Sequence, residues 1–197
     1  MVRDKLSLLC LALTLSLFAC KSNEKTADES QPNHAVAQQL PVGEVAYTAP
    51  EGWVAEHPSS NMRKAQFRLP GVAGLEDGEL VVFHFPGTGG SVQANLDRWY
   101  GQFKQPDGSA TRDRAQPQQV QANGLNVTTV SVTGTFLKSQ SPMMMSGPFD
   151  EMPDYLMWAA IVETANGPWF FKAVGPQKTM EHWQPSFDAF VQTLRVQ

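Results

Sequence analysis

Three observations predict an α+β domain, a central antiparallel sheet with helices packed on it in an α/β/α sandwich. Two Asn-Gly dipeptides, Asn123-Gly124 and Asn166-Gly167, each separate runs of alternating or apolar residues. Both residues of such a turn take positive φ, which makes the pair the strongest short signal for a hairpin. Two other segments carry apolar residues at helical spacing: Val92, Leu96, Trp99, Tyr100 and Phe103, then Met180, Trp183, Phe187, Val191 and Leu194. Finally, residues 45–197 amount to about 150 residues rich in Trp and Phe, the usual size of one domain with one core.

The elements follow in order. The domain opens at Val45-Ala46-Tyr47-Thr48, and the turn Pro50-Glu51-Gly52 returns Trp53 to the core. Arg63 to Leu69 alternates, with Arg63, Ala65, Phe67 and Leu69 facing one way and Lys64, Gln66 and Arg68 the other, a half-exposed strand. Glu79 to Phe85 is apolar on both faces, which predicts a strand covered on both sides. A glycine-rich turn leads to Ser91, a good N-cap, and into the first helix, with Pro106-Asp107-Gly108 as its stop. Two strands follow Pro117 and two more follow Tyr155, each pair joined by its Asn-Gly. Between the pairs, Leu137 to Asp154 carries Pro142, Met143, Met144, Met145, Gly147, Pro148, Met152 and Pro153 and is predicted as a long connection, a kind of segment that in compact domains is usually functional. The last helix starts near Pro176, and Pro185 is predicted to kink or divide it near Trp183. The order is strand, strand, strand, helix, four-strand meander, helix.

Residues 1–44 read differently. Arg3 and Lys5 precede thirteen uncharged residues, Leu6 to Phe18, the charged start and short apolar core of a secretory signal that is too short to span a bilayer. This run closes on Leu17-Phe18-Ala19-Cys20, which resembles the lipobox of bacterial lipoproteins, with leucine three places before an obligatory cysteine. The resemblance implies removal of residues 1–19 as a signal peptide and lipidation of Cys20, by diacylglycerol and an N-acyl chain such as palmitate. Several buried chains make a stable membrane anchor. Lys21 after the cysteine resembles the signal that sorts lipoproteins to the outer membrane, facing the periplasm. Residues 20–44 are then the lipidated N-terminus and a polar, flexible tether.

Charge and cysteine usage narrow the function. Removing residues 1–19 takes Arg3, Asp4 and Lys5, leaving 13 basic and 18 acidic side chains and a net charge of −5. No basic excess is available for nucleic acid. Cys10 leaves with the signal and Cys20 is the lipid site, so the domain has neither disulfide nor thiol chemistry.

With Pro50-Glu51-Gly52-Trp53 at the start, Asn95-Leu96-Asp97-Arg98-Trp99 in the middle and Phe187-Asp188-Ala189-Phe190 near the end, residues 45–195 resemble the PsbP/Mog type of fold, in which a central antiparallel sheet lies between helices. Members act as extrinsic subunits of a photosynthetic complex or as small-GTPase binders. The resemblance implies accessory, protein-binding work over catalysis. Met62-Arg63, the glycine-rich turn and Gly175-Pro176 also resemble uncharacterised bacterial lipoproteins, which brings no known activity.

The remaining chemistry is sparse. Gly87, Gly89, Gly90 and Ser91, with Asn95 and Arg98 on the following helix, form a candidate ligand loop, since a glycine turn before a helix N-terminus suits an anion. No Lys-Ser/Thr pair follows and the spacing is not Gly-x-Gly-x-x-Gly, so a structural turn is the simpler reading. His34, His57, His84 and His182 lack ligand spacing, and no cofactor or resident metal is expected. Met143, Met144, Met145 and Met152 offer thioethers to Cu(I), or else an adaptable contact surface. There is no Gly-x-Ser-x-Gly nucleophile motif. His84, Trp53, Trp99, Trp158, Trp169 and Trp183 fall on apolar stripes and read as core. The sequence thus predicts a non-enzymatic envelope lipoprotein that binds an envelope protein through Ser139 to Asp154, with Met143, Met144, Met145, Asp150, Glu151 and Met152 as contacts. The alternative is a periplasmic carrier of a small ligand or Cu(I).

Overall fold

The structure, a computed structural model, describes residues 39–87, 89–140 and 148–197. In chain order its elements are β1 (Val45–Ala46), β2 (Val54–Glu56), β3 (Arg63–Leu69), β4 (Gly78–His84), α1 (Val92–Tyr100), β5 (Phe103–Lys104), α2 (Thr111–Arg114), β6 (Gln118–Ala122), β7 (Leu125–Ser139), β8 (Phe149–Val162), β9 (Trp169–Pro176), α3 (Gln177–Thr193) and β10 (Arg195–Val196). Eight strands form one antiparallel sheet in the order β2-β3-β4-β9-β8-β7-β5, with β6 also pairing β7; β1 and β10 pair separately. No helix among the described residues is long and apolar enough to cross a membrane.

Period-two alternation divides the core between the two faces of the sheet. On one face α3 lays Met180, Phe187, Phe190 and Val191 over Phe67, Leu80, Val82, Trp158, Ala160 and Phe171. On the other, α1 lays Leu96, Trp99 and Tyr100 over Val130, Val132, Met157, Ala159, Ile161 and Phe170. Strand β8 is buried at every position from Leu156 to Val162, as expected of a strand covered on both faces. The α+β class and the layered arrangement are those the sequence predicts.

Several local expectations are corrected. The first helix ends at Tyr100 instead of at Pro106, because Phe103 leaves the helical stripe and buries itself in β5 opposite Phe136. β3 carries a bulge between Arg63 and Ala65, which turns Arg63 onto the polar face with Gln66 and Arg68. The first Asn-Gly hairpin forms as expected, with φ +48° at Asn123 and +80° at Gly124. The second does not make a two-residue turn. Gly167 donates to Thr164 O at 3.0 Å and Thr164 Oγ1 donates to Gly167 O at 2.7 Å, and Pro168 cannot join the ladder, so pairing begins only at Trp169.

Where the structure describes it, at residues 137–140 and 148–154, the predicted long connection is largely strand. Leu137, Lys138 and Ser139 of β7 pair with Glu151, Asp150 and Phe149 of β8, and Phe136 pairs with Met152. Pro153 sits in a bulge between that arm and the main ladder, where no ladder N–H is needed, and Asp154 takes φ +55° beside it. Pro185 does not divide α3, which runs unbroken to Thr193. Glu181 and Pro185 both lie on the exposed side of the helix, where a carbonyl left without its helical donor costs least because solvent is at hand. The chain also touches the β8–β9 connection ahead of β1, where Pro41 O accepts from Ala165 N at 2.9 Å.

Candidate functional site

The nine residues of α1 make about 14 Å of helix, too short to cover its whole face of the sheet. Beyond it the same face turns polar: Gln66 and Arg68 on β3, Glu79 on β4, Lys172 on β9 and Tyr155 on β8 share it through the register. The result is a groove of about 630 Å³ lined by Arg63, Glu79, Arg98, Gln102, Phe136 and Tyr155 among others.

Each acidic side chain of the groove already has a donor. Arg63 pairs with Glu79 at 2.8 Å. Asp77 accepts from the Gly71 N–H at 2.6 Å and from Arg68 at 3.2 Å, which together hold its carboxyl below the ordinary range against the opposing effect of desolvation. Arg112 pairs with Asp97 at 2.7 Å. The Tyr155 hydroxyl donates to Glu76 at 2.8 Å, and burial followed by that carboxylate pushes the phenol well above its usual value.

Two cations are held differently. Arg98 donates to Asn95 Oδ1, and Lys172 Nζ donates to Gln102 Oε1, both neutral amide acceptors. The lysine ammonium lies 5.7 Å from the Trp99 ring centroid and 5.9 Å from that of Phe136. Desolvation brings its pKa down to about 7; the charge on Arg98 adds to this, Glu79 opposes it and Arg63 contributes weakly. Lys172 keeps some accessible surface, but its charged end is deep under the helix end. Sequence reasoning missed this residue. The available signal was a single charge inside the otherwise apolar run Trp169 to Val174.

The predicted ligand loop is tied inward. Asn95, 2% exposed, donates to Gly89 O at 2.7 Å and Ser91 O at 2.9 Å, and Ser91 Oγ accepts from the Ala94 N–H at 3.2 Å as the helix cap. Gly89 packs so closely on Pro168 that a Cβ would collide with its ring, whereas Gly87 and Gly90 serve as left-handed turn positions, at φ +69° and +72°. Of that set, Arg98 alone lines the groove. His84, at the end of β4, stacks on Trp169 with ring centroids 4.3 Å apart. Trp53, Trp99, Trp158 and Trp169 are buried, and Trp183 is partly buried with its N–H donated to Pro70 O at 2.9 Å.

The predicted contact residues lie on the β7–β8 arm beside the groove. Asp150 accepts from Gln140 Nε2 at 2.6 Å, Glu151 pairs with Lys104, and Met152 stands opposite Phe136. Phe149 is 42% exposed. Met143, Met144, Met145 and Cys20 lie outside the described residues. No group of three His, Cys, Asp or Glu side chains suited to a metal is present among the described residues.

Fold and site together define a layered α/β/α domain with a groove lined by charges of both signs on one face and an exposed strand arm at its margin. No protein-family model matches the chain, and no curated protein matches it. Among solved structures, the chain is similar to LpqN, involved in cell envelope biogenesis of Mycobacterium tuberculosis, at 8% identity and a TM-score of 0.47, covering 81% of this chain and 87% of that one. It is also similar to PA94, a protein of unknown function from Pseudomonas aeruginosa, at 10% identity and a TM-score of 0.46, covering 74% and 97%.

Proposed function

We propose that this chain is a lipid-anchored, non-catalytic accessory protein of the bacterial envelope, whose PsbP/Mog-like domain captures a protein partner on the β7–β8 arm. The observation that carries the reading is the outer edge of that arm. Among the described residues, 149–152 pair with β7 on one side only, since β9 reaches no further along β8 than Tyr155. Such an edge offers main-chain donors and acceptors to an incoming strand, and the exposed Phe149 offers an apolar anchor. The Lys104–Glu151 pair and the Asp150–Gln140 hydrogen bond hold the arm in shape before binding, which reduces the ordering cost. Anchoring through Cys20, on the periplasmic side of an outer membrane, raises the effective concentration of the arm near membrane partners without a tight site.

Crosslinking and affinity purification of the full-length protein from detergent-solubilised envelopes tests this, with Phe149→Asp processed alongside. Phe149 is substantially exposed, so the variant should unfold at the wild-type urea midpoint while losing the stoichiometric partner. Recovery of the same partner at the same yield by the variant removes the arm as the contact surface.

A further inference from the structure

A second cavity lies on the other face of the sheet, at a gap in the strand order. β6 pairs with β7 no further than Thr129 and β5 only from Thr135, so among the described residues no strand lies on the outer side of Val130 to Gly134. At this gap the end of α2, the strands β6 and β7, and α3 border a cleft of about 510 Å³. Its lining is polar where the core pattern calls for apolar side chains. The face of β7 under α3 carries Val127, fully buried, and then Thr129 and Ser131, which stand opposite Ala160 and Trp158. On α3, Gln184, Asp188 and Gln192 recur every four residues and form one row beside Phe187 and Val191. Trp158 and Phe187 stack on each other to make the floor, with ring centroids 5.2 Å apart.

The polar groups of the lining are free of one another. On the other face of β6, Gln119 and Gln121 bond the side chains opposite them, those of Thr128 and Asn126. Gln118 stands opposite Thr129 in the same register, yet neither side chain has a hydrogen-bond partner among the described residues. The same holds for the side chains of Ser131, Gln184 and Asp188. Of the two charged residues that border the cleft, Arg114 is paired with Asp107 and donates to Ser109, which leaves Asp188 as the uncommitted one.

Such a set selects its ligand by elimination. An organic anion meets a carboxylate and no uncommitted cation. A metal ion finds one exposed carboxylate and no second. A wholly apolar ligand strips water from amides and hydroxyls and returns no hydrogen bond, which leaves the desolvation of each group uncompensated. A ligand rich in hydroxyls answers all of them: a glutamine amide donates and accepts at once, and a carboxylate accepts from two neighbouring hydroxyls.

We propose that this cleft binds a neutral saccharide, with its hydroxyls on Gln118, Gln184 and Asp188 and the aliphatic face of a ring against the floor formed by Trp158, Phe187 and Val191. The volume lies in the range of small-molecule sites. The site goes beyond partner capture, because it shares no residue with the β7–β8 arm and lies on the face opposite the groove that Phe149 borders.

The test is calorimetric titration of the full-length protein, in a detergent without a sugar head group, with maltose, cellobiose and N,N′-diacetylchitobiose. Glucuronate is the anionic control and glycerol the control for small polyols. The expected result is saturable binding of at least one disaccharide and weaker binding of both controls. Affinity should fall by about tenfold in Asp188→Ala and by about threefold or more in Gln118→Ala, since a hydrogen bond to a charged group is worth more than one to a neutral amide. Both residues are exposed, so both variants should keep the wild-type urea midpoint. Phe149→Asp should bind the sugar with wild-type affinity, which separates this site from the contact surface on the arm. No saturable binding of any of the three disaccharides at millimolar concentration overturns the proposal, as does equal binding of glucuronate or unchanged affinity in both Asp188→Ala and Gln118→Ala.

Discussion

Replacing Lys172 by methionine measures how strongly the fold holds a lysine against its preference for water. Folding lowers this group from its ordinary 10.5 to about 7. Between those values the unfolded chain keeps a proton that the folded chain has lost, so stability rises with pH across the window. The penalty is full below pH 7 and gone above 10.5. Each unit is worth about 1.36 kcal/mol. From pH 7, where the folded lysine is half protonated, to pH 9, where it is neutral, the gain integrates to about 2.3 kcal/mol. Residual accessibility brings this to about 1–2 kcal/mol. Methionine keeps the apolar stem but gives up the Gln102 hydrogen bond and the contact with Trp99 and Phe136, together worth about 1–3 kcal/mol. Arg63, Glu79 and Arg98 are left in place. Urea denaturation of wild type and Lys172→Met at pH 7 and pH 9 reads the effect directly. Wild type should gain on the variant by that 1–2 kcal/mol between the two pH values. A wild-type-minus-variant difference that is the same at both pH values, or smaller at pH 9, refutes the assignment of a desolvated lysine.

Two further outcomes follow from single residues. Cys20→Ala should abolish incorporation of labelled fatty acid and move the protein from the membrane to the soluble fraction; label retained on the variant sinks the lipid anchor. Gly167→Ala should lower stability by about 2–3 kcal/mol, because its φ is +110° and the added Cβ would stand 2.6 Å from Phe85 O. Gly87→Ala is the control, with φ +69° and nothing within 4 Å, and should cost only about 1 kcal/mol. Equal urea midpoints for the two variants would show that the close approach is not what requires Gly167.

What was legible in the sequence was whatever repeats with a fixed period. Alternation and helical spacing are local consequences of burying one face, so the two faces of β4, the apolar stripe of α3 and most of the core follow from the residues alone. Asn123-Gly124 was readable because its requirement for positive φ is intrinsic to the turn. The same dipeptide at Asn166-Gly167 misled, since the proline that follows moves the start of pairing and a six-residue connection takes over. Pro153 misled in the opposite direction: proline argues against a strand interior, but a bulge removes the need for its N–H. Lys172 was invisible for another reason. A lone charge in an apolar strand has the same local pattern whether it reaches water or lies under a helix end, and only the length of α1 decides between them.

That length depends on a competition at the end of the helix. Continuing α1 through Phe103 would have kept the helical stripe, but Phe103 becomes 5% exposed by joining β5, opposite Phe136, and Gly101 closes the helix before it. Ending there leaves the face beyond it open, where Arg63, Arg98, Gln102 and Phe136 border the groove. The two bulges act in the same place. The one in β3 brings Arg63 onto the open face, and the one at Pro153-Asp154 offsets the arm so that Phe136 and Phe149 border the cavity. Each irregularity costs ladder pairing, and both fall at the margin of the groove, where bulges commonly redirect side chains toward a site. A fold selected for packing alone would gain by extending the helix and regularising both strands. A short helix and two bulges at the margin of one cavity therefore argue that the cavity is what the departures serve.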